Sequence, residues 1–378
     1  MNKLSNKALS SVIAPALVLL CLLFTVGCKK NAQPSLSNKE LSANANANSS
    51  KEPKQLKDFT QVNLVGNSSE YSPLRIEPNL QNAWGIAFSS GGVAWVNATN
   101  TGLSFLYSAL GVPPRGPVAI PSPGGPSGGL PTGIVFNGGA DFKIPNGNPA
   151  RFIFVGVDGI VSGWNTGNFA AKMVDNSATS AYTGLAIGSA GGNNYLYAAN
   201  FRASTIDVFD KNYAPVATMP FTDPNLPAGY SPFNIQNVEG KLYVMYAKVG
   251  PDGRDEAHPG FGYVDIYSTS GVLERRFVSK GQLNAPWGVA KAPPGFFGED
   301  GMTGVILIGN FGDGHINAYD SDGKFLGQLR FHGQPIEIDG LWAITFAPTT
   351  ATTVNPNWLF FAAGPDKEAD GLFGYITK

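Results

Sequence analysis

The stretch "AANFRASTIDVFD", residues 198–210, has a close counterpart in "IGNFGDGHINAYD", residues 308–320. Each stretch has a short apolar run that ends in Asn-Phe, then a polar turn, then an alternating run that ends in an aromatic residue and Asp. Two such runs on either side of a polar turn are typical of antiparallel strands. Because the whole unit occurs twice, the chain is predicted to be built from structural repeats.

A second motif extends the repeat over most of the chain. A small or polar residue inside an alternating apolar run occurs six times, in "AWGIAF", "PTGIVF", "YTGLAI", "PFNIQN", "PWGVAK" and "LWAITF". The aligned positions are Gly85, Gly133, Gly184, Asn234, Gly288 and Ala343. Their spacings are 48, 51, 50, 54 and 55 residues, which is a nearly constant period. Six structural repeats are therefore expected.

Each repeat continues with further short apolar runs separated by turns rich in Gly, Asn and Asp. A second and a third run follow in all six copies, and a fourth is visible in five: "PVAIP", "AKMVD", "PVATMPF", "ERRFVS" and "LGQLRF". Four short strands in a repeat of about fifty residues are typical of a β-propeller blade. The chain is thus predicted to be all-β, a six-bladed β-propeller of four-stranded antiparallel blades.

The sixth copy ends at its third run, "GLFGYITK", whereas "FTQVNLVGN" at residues 59–67 belongs to no repeat. An open ring would leave a bare strand edge, which favours aggregation. The N-terminal strand is therefore predicted to join the last blade and close the ring.

The start of the chain carries the signs of export. Lys3 and Lys7 precede an apolar run over residues 12–26, which is short for a membrane span and typical of a secretory signal. The string "TVGC" resembles a bacterial lipobox that ends at Cys28, although Thr25 stands where Leu is usual. Residues 1–27 are predicted to be a lipoprotein signal peptide and Cys28 the lipidated residue of a bacterial, outer-membrane lipoprotein. A plain signal peptide and an uncleaved anchor are the alternatives.

Composition bounds the rest of the chain. Residues 28–58 are rich in Asn, Ser, Ala and Lys and are predicted to be a flexible tether, with the propeller at 59–378. The net charge of the 378 residues is -1, with no basic stripe, which argues against a nucleic-acid partner. We expect a monomer attached to the membrane through Cys28.

Strand alternation predicts where polar residues gather. If the first strand of each blade leaves one face of the ring, the second strand returns to it. First-strand starts and the turns between second and third strands should therefore share one rim at the channel mouth. Asn82, Asn200, Asn234, Asn284, Asn310 and Asp339 are expected there.

Six strings together resemble a family of secreted bacterial proteins, some of which carry a PEP-CTERM sorting tail: "NAWGIAF", "ARFIFVGVDGIVSGWN", "LYAANFRASTIDVFD", "LNAPWGVA", "GNFGDGHINAYD" and "IDGLWAITF". The likeness covers residues 59–378, but this chain ends in "LFGYITK" without that tail. The resemblance implies no particular activity. More distantly, the chain is similar to NHL and gluconolactonase-type six-bladed propellers. Some of these hydrolyse lactones or esters with a calcium ion held in the channel by Glu, Asn and Asp.

Calcium takes six to eight oxygen ligands, so amide and carboxylate oxygens on the rim are the candidate ligands. The set consists of Asn200, Asn234, Asn284, Asn310 and Asp339. No position for the additional Glu can be assigned. The alternative is that these Asn residues only shape turns by bonding to the main chain.

Other polar and aromatic residues near the rim are open to two interpretations. The loops "GPDGRDEAHPG" and "GPDKEADG" are acidic, and solvated surface charge is the alternative to a binding role. His258 and His315 are candidate bases, although no nucleophile motif accompanies them. Trp84, Trp287 and Trp342 either stack on a sugar or pack between blades.

These patterns favour a binding module for a small molecule, a glycan or a protein. The alternative is a metal-dependent lactonase or esterase with its site at the channel mouth.

Overall fold

The computed structural model describes residues 53–299 and 301–378. The predicted signal peptide, Cys28 and most of the predicted tether lie outside the described residues. The described chain is all-β apart from three short 3-10 helices, Lys54–Leu56, Ser69–Tyr71 and Thr99–Thr101. Within these two ranges no helix is long and apolar enough to cross a membrane.

Six blades form a ring in which each innermost strand contacts the innermost strand of the next blade, and the sixth contacts the first. The strands of blades 1 to 3, from the channel outward, are Ala83–Phe88, Ala94–Ala98, Leu103–Tyr107 and Val118–Ala119; Pro131–Phe136, Phe152–Gly156, Ile160–Trp164 and Ala171–Asp175; and Tyr182–Ala190, Asn193–Asn200 and Thr205–Phe209.

Blades 4 to 6 continue in the same order. Their strands are Tyr230–Val238, Lys241–Val249, Tyr263–Ser268 and Leu273–Ser279; Pro286–Lys291, Ile306–Asn310, Ile316–Tyr319 and Phe325–Gln328; and Leu341–Phe346, Leu359–Ala363, Leu372–Thr377 and Thr60–Gly66. Smaller strands are Arg75–Ile76, Pro121–Ser122, Gly125–Gly128, Asp255–Glu256, Arg330–Phe331 and Gln334–Pro335. The predicted six-bladed propeller is confirmed.

The N-terminal strand closes the ring as predicted. Thr60–Gly66 pairs antiparallel with Leu372–Thr377 and forms the fourth strand of blade 6. Leu56 lies three residues before the expected start of the domain, yet it is fully buried. Phe59 is also buried, and its ring packs against that of Phe296 with centroids 5.1 Å apart and an interplanar angle of 32°. The packed part of the chain therefore begins before residue 59.

The repeated small residue has a steric cause. In every blade the pairing of the first and second strands shifts register at this position, which marks a β-bulge facing the channel. A Cβ on Gly85 would lie 2.2 Å from the carbonyl oxygen of Thr132 in the next blade, and one on Gly184 would lie 2.0 Å from Oδ1 of Asn234. Adjacent inner strands therefore approach too closely for a side chain at these glycines, whereas blade 4 accommodates Asn234 at the equivalent position.

Blade 3 differs from the prediction. The run "PVATMPF", residues 215–221, was expected to form a fourth strand, but it contacts the third strand only at its start. Phe209 and Pro215 form an isolated bridge, and the amide of Val216 donates to the carbonyl of Val208 at 2.8 Å. Pro215 and Pro220 lack the N–H that a ladder requires, so the chain departs and leaves a cavity of about 560 Å³ beside the third strand.

Candidate functional site

Aromatic side chains from several blades pack together across the channel. We call this cluster the aromatic plug; its members are Trp84, Phe201, Phe233, Trp287, Phe311 and Trp342. Trp84 stacks on Trp342 with ring centroids 3.5 Å apart, and Phe311 stacks on the same Trp342 at 3.9 Å. The plug joins blades 1, 3, 4, 5 and 6 across the channel.

The three tryptophans occupy equivalent positions, one residue before the repeated small residue in blades 1, 5 and 6. Each is at most 5% exposed. The indole of Trp287 donates to the carbonyl of Thr183 at 3.0 Å, and that of Trp342 donates to Oδ1 of Asn82 at 2.9 Å. Burial across the channel therefore leaves little tryptophan surface for a sugar.

A cavity of about 320 Å³ lies on the rim side of the plug, and we call it the rim cavity. Its walls come from first-strand starts and from turns between second and third strands, which confirms that these segments share one face. Residues of blades 1, 2, 3, 4 and 6 line it, among them Trp84, Val157, Phe201, Phe233, Asp255 and Glu368. A second cavity of about 270 Å³ lies on the inner strands and includes Trp287 and Asn234 in its wall.

The two acidic loops meet beside the rim cavity. Arg254, in the loop at residues 250–260 of blade 4, forms an ion pair with Glu368, in the loop at residues 364–371 of blade 6. Nδ2 of Asn82 donates to the other carboxylate oxygen of Glu368 at 3.0 Å, and Nδ2 of Asn100 donates to the backbone carbonyl of Glu368 at 2.7 Å. The two loops therefore form part of the wall of the rim cavity. From the sequence alone, solvated surface charge was the alternative to such a role.

Asp255 is the acidic residue of the rim cavity that forms no ion pair with a described residue, although the charge of Arg254 acts on it. It forms a short strand with Glu256 that pairs with Lys248 and Val249. Among the described residues, no side chain donates a hydrogen bond to its carboxylate. Burial raises the pKa of the Asp255 carboxyl to about 6, because the charged form is poorly solvated there.

Asn200 belongs to a closed hydrogen-bond network in blade 3. Its Oδ1 accepts from the amides of Ala181 at 3.1 Å and Ala203 at 3.2 Å. Its Nδ2 donates to Oγ of Ser180 and to Oδ2 of Asp207, both at 2.9 Å. Both ends of the side chain are thus used to hold the turn.

Asn284 and Asn310 come together at Asp313 in blade 5. Nδ2 of Asn284 lies 3.2 Å from Oδ2 of Asp313, and Nδ2 of Asn310 lies 3.1 Å from its Oδ1. Asn310 also donates to the carbonyl of Gln282 at 2.7 Å. The Oδ1 atoms of both amides are buried, and no described residue donates to them.

The remaining members of the predicted metal set lie apart from this pair. Asn234 lines the inner-strand cavity and donates from Nδ2 to the carbonyl of Trp287 at 2.7 Å. Asp339 is exposed and accepts from the amide of Asp366 at 3.0 Å. Within the described ranges, no group of three or more His, Cys, Asp or Glu residues is placed to hold a metal ion. The predicted set is therefore distributed over separate networks.

The candidate bases lie outside the rim cavity. His258 is exposed, with Nδ1 2.8 Å from the carbonyl oxygen of Pro259. Nδ1 of His315 is 3.5 Å from Oδ1 of Asp313 in the blade 5 turn.

Sequence reasoning missed Asp255, Phe201 and Phe233 as wall residues. The two phenylalanines lie one residue from Asn200 and Asn234, so the rim argument already pointed to their neighbourhood.

Comparison with known proteins identifies two viral relatives that match over most of their length. Uncharacterized protein L690 of Acanthamoeba polyphaga mimivirus is 33% identical over 341 residues, which cover 84% of this chain and 86% of that protein. Uncharacterized protein R648 of the same virus is 32% identical over 339 residues, covering 86% and 82%. No family model matches the sequence. Among solved structures, virginiamycin B lyase from Staphylococcus aureus aligns with a TM-score of 0.48 at 14% identity, covering 85% of this chain and 99% of the lyase.

Proposed function

The chain belongs to one family with these two mimivirus proteins, and we propose that it is a binding module that takes a small ligand in the rim cavity. The observation that carries this proposal is the make-up of the cavity wall. Five blades contribute to it, its floor is the aromatic plug, and two loops from blades 4 and 6 are paired at its side. A concave site with apolar walls and a few placed polar groups is the usual form of a small-molecule site.

The polar groups of the site favour binding over hydrolysis. Asn82 and Glu368 hold each other and the plug, so they are engaged in shaping the wall. A hydrolase would need a nucleophile or an activated water next to a base. His258, the base candidate on the blade 4 loop, bonds to Pro259 outside the cavity.

The metal-dependent lactonase or esterase has weaker support in the geometry. Nδ2 of Asn284 and of Asn310 both face the carboxylate of Asp313. Each amide therefore presents its nitrogen, not its oxygen, to that carboxylate. A calcium ion takes oxygen ligands, so a site on Asp313 would require both amides to turn over.

Binding in the rim cavity can be tested by blocking it. We expect ligand-detected NMR with a library of small soluble fragments to give hits that are lost in Ala181→Phe, because Ala181 lines the cavity. Ala203→Phe is the matched control, since Ala203 is exposed on the neighbouring turn and does not line the cavity. Hits that persist equally in both variants, or a screen without hits on the folded wild type, would refute the proposed site.

We further propose that the module is exported and held on a bacterial membrane through a lipid on Cys28. The motif "TVGC" after an apolar run supports this proposal. Cys28→Ser is expected to move the protein from the membrane fraction to the soluble fraction, or to stop processing before residue 28. Unchanged membrane association with a normal mature N-terminus would contradict the lipid anchor.

A further inference from the structure

We propose that the ligand of the rim cavity is an organic cation that carries an alkylammonium or quaternary ammonium group. This inference rests on the proposed function, because it assigns a ligand class to the same cavity. It is carried by three features of the wall: an acidic side chain that forms no ion pair with a described residue, aromatic side chains in the same wall, and two loops with an excess of carboxylates beside it.

The charge of the wall is the first feature. Arg254 is the cationic residue of the cavity, and it is already paired with Glu368. Asp255 is half-buried and accepts from no described side chain, and the cation that acts on it, Arg254, is engaged with Glu368. Since a buried charge is costly unless it is paired, a cationic ligand would supply the missing partner.

Aromatic side chains in the wall are the second feature. Phe201 and Phe233 lie with ring centroids 5.3 Å apart and an interplanar angle of 56°, and both line the cavity. The face of an aromatic ring carries partial negative charge and attracts a cation within about 6 Å of the ring centre. An organic cation also buries its alkyl groups against these rings, whereas a metal ion requires a shell of oxygen ligands.

The excess of acidic residues in the two loops beside the cavity is the third feature. The loops at residues 250–260 and 364–371 together carry six carboxylate side chains and two cationic ones, although the net charge of the whole chain is only -1. A cleft surrounded by charge of one sign concentrates ligands of the opposite sign. The excess of negative charge therefore lies in the two loops beside the cavity.

The experiment compares choline with its neutral isostere, 3,3-dimethylbutan-1-ol, by calorimetric titration of the folded domain at pH 7.5. The two probes have the same shape and differ in charge. We expect choline to bind at least about tenfold more tightly, and we expect this preference to shrink about tenfold or more in Asp255→Asn. Glu256→Gln is the matched control, because it removes an exposed charge from the adjacent residue and should keep the preference.

A second measurement uses pH. Because the Asp255 carboxyl has a pKa raised to about 6, the preference for choline should weaken as the pH falls from 7.5 to 5, while binding of the neutral isostere should stay constant. In Asp255→Asn the choline affinity should not follow pH over this range.

The outcomes separate this inference from the proposed function. Equal affinity for the two probes, no binding of choline, or an unchanged preference in Asp255→Asn would refute the organic cation. The binding module would still stand if fragments bind and are blocked by Ala181→Phe. A failure of that fragment test would remove the cavity itself as a site and the cation with it.

Discussion

The turns at Asn200 and Asn310 have similar sequences, but they hold their carboxylates in different places. In blade 3 the carboxylate is Asp207, in the third strand, and it accepts from Nδ2 of Asn200 at 2.9 Å. In blade 5 the residue equivalent to Asp207 is Asn317, and the carboxylate lies in the turn itself, at Asp313. Asn310 therefore turns its nitrogen toward Asp313 and leaves its Oδ1 without a donor.

This difference shows that the shared Asn-Phe pair builds the same backbone with two different polar networks. The phenylalanines keep one role, because Phe201 and Phe311 both extend into the aromatic plug. The asparagines do not, since Asn200 makes two hydrogen bonds through its oxygen and two through its nitrogen, whereas Asn284 and Asn310 in blade 5 leave two buried oxygens unpaired. The blade 3 turn should accordingly contribute more than the blade 5 turn to the free energy of unfolding.

The largest effect on stability is expected when Asn200 and Asn310 are each replaced by Ala in separate variants. Asn200→Ala deletes four hydrogen bonds and leaves the amide of Ala181 without its partner, so it should lower the free energy of unfolding by about 3 kcal/mol. Asn310→Ala should cost only about 1 kcal/mol, because it also removes a buried, unpaired oxygen. Urea unfolding followed by tryptophan fluorescence measures both. Equal losses, or a larger loss for Asn310→Ala, would contradict the comparison.

An intermediate effect on stability is expected at the residue that follows the phenylalanine of the Asn-Phe pair, which is Gly312 in blade 5 and Arg202 in blade 3. A Cβ on Gly312 would lie 2.2 Å from Oδ1 of Asn284, so Gly312→Ala should destabilise the domain by about 2 kcal/mol. The equivalent residue in blade 3 is Arg202, which is exposed, and Arg202→Ala should change stability by less than about 0.5 kcal/mol.

The cause of the Gly312 effect can be checked in a double variant. If the clash with Asn284 is responsible, Gly312→Ala combined with Asn284→Ala should be more stable than the sum of the two single changes predicts. Simple additivity in the melting data would mean that another contact, such as the one with Ala257, causes the loss.

The sequence predicted those parts of the fold that depend on local pattern. The period and the closing strand follow from alternation and from the cost of a bare edge. The bulge at Gly85 and its equivalents was not predicted, because the close approach of inner strands from neighbouring blades depends on the closed ring. Blade 3 departs from the predicted pattern because Pro215 and Pro220 within its apolar run prevent a full ladder.

The candidate site was predicted only in outline. The rim follows from the direction of the strands, so the neighbourhood of Asn82 and Asn200 was foreseeable. The pairing of Arg254 with Glu368 joins residues 114 positions apart, and it depends on how two loops fold over the mouth. That Asp255 forms no ion pair with a described residue depends in turn on that pairing, because Arg254 is engaged with Glu368. No local pattern encodes either feature, because both result from tertiary geometry.

The smallest effect on stability is expected from the addition of calcium. For calcium to use Oδ1 of Asn284 and Asn310 together with Asp313, both amides would have to turn over, and Asn310 would lose its bond to the carbonyl of Gln282. We therefore expect excess calcium to leave the melting temperature of the wild type unchanged, with the difference between Asn200→Ala and Asn310→Ala also preserved. Differential scanning calorimetry can detect a failure of this prediction, since a site with calcium at 100 times its dissociation constant would add about 2.7 kcal/mol. A calcium-dependent rise that is kept in Asn200→Ala and lost in Asn310→Ala would show that the unpaired oxygens of blade 5 are metal ligands. That result would favour the metal-dependent hydrolase and would assign the turn at Asn310 a role that the turn at Asn200 does not have.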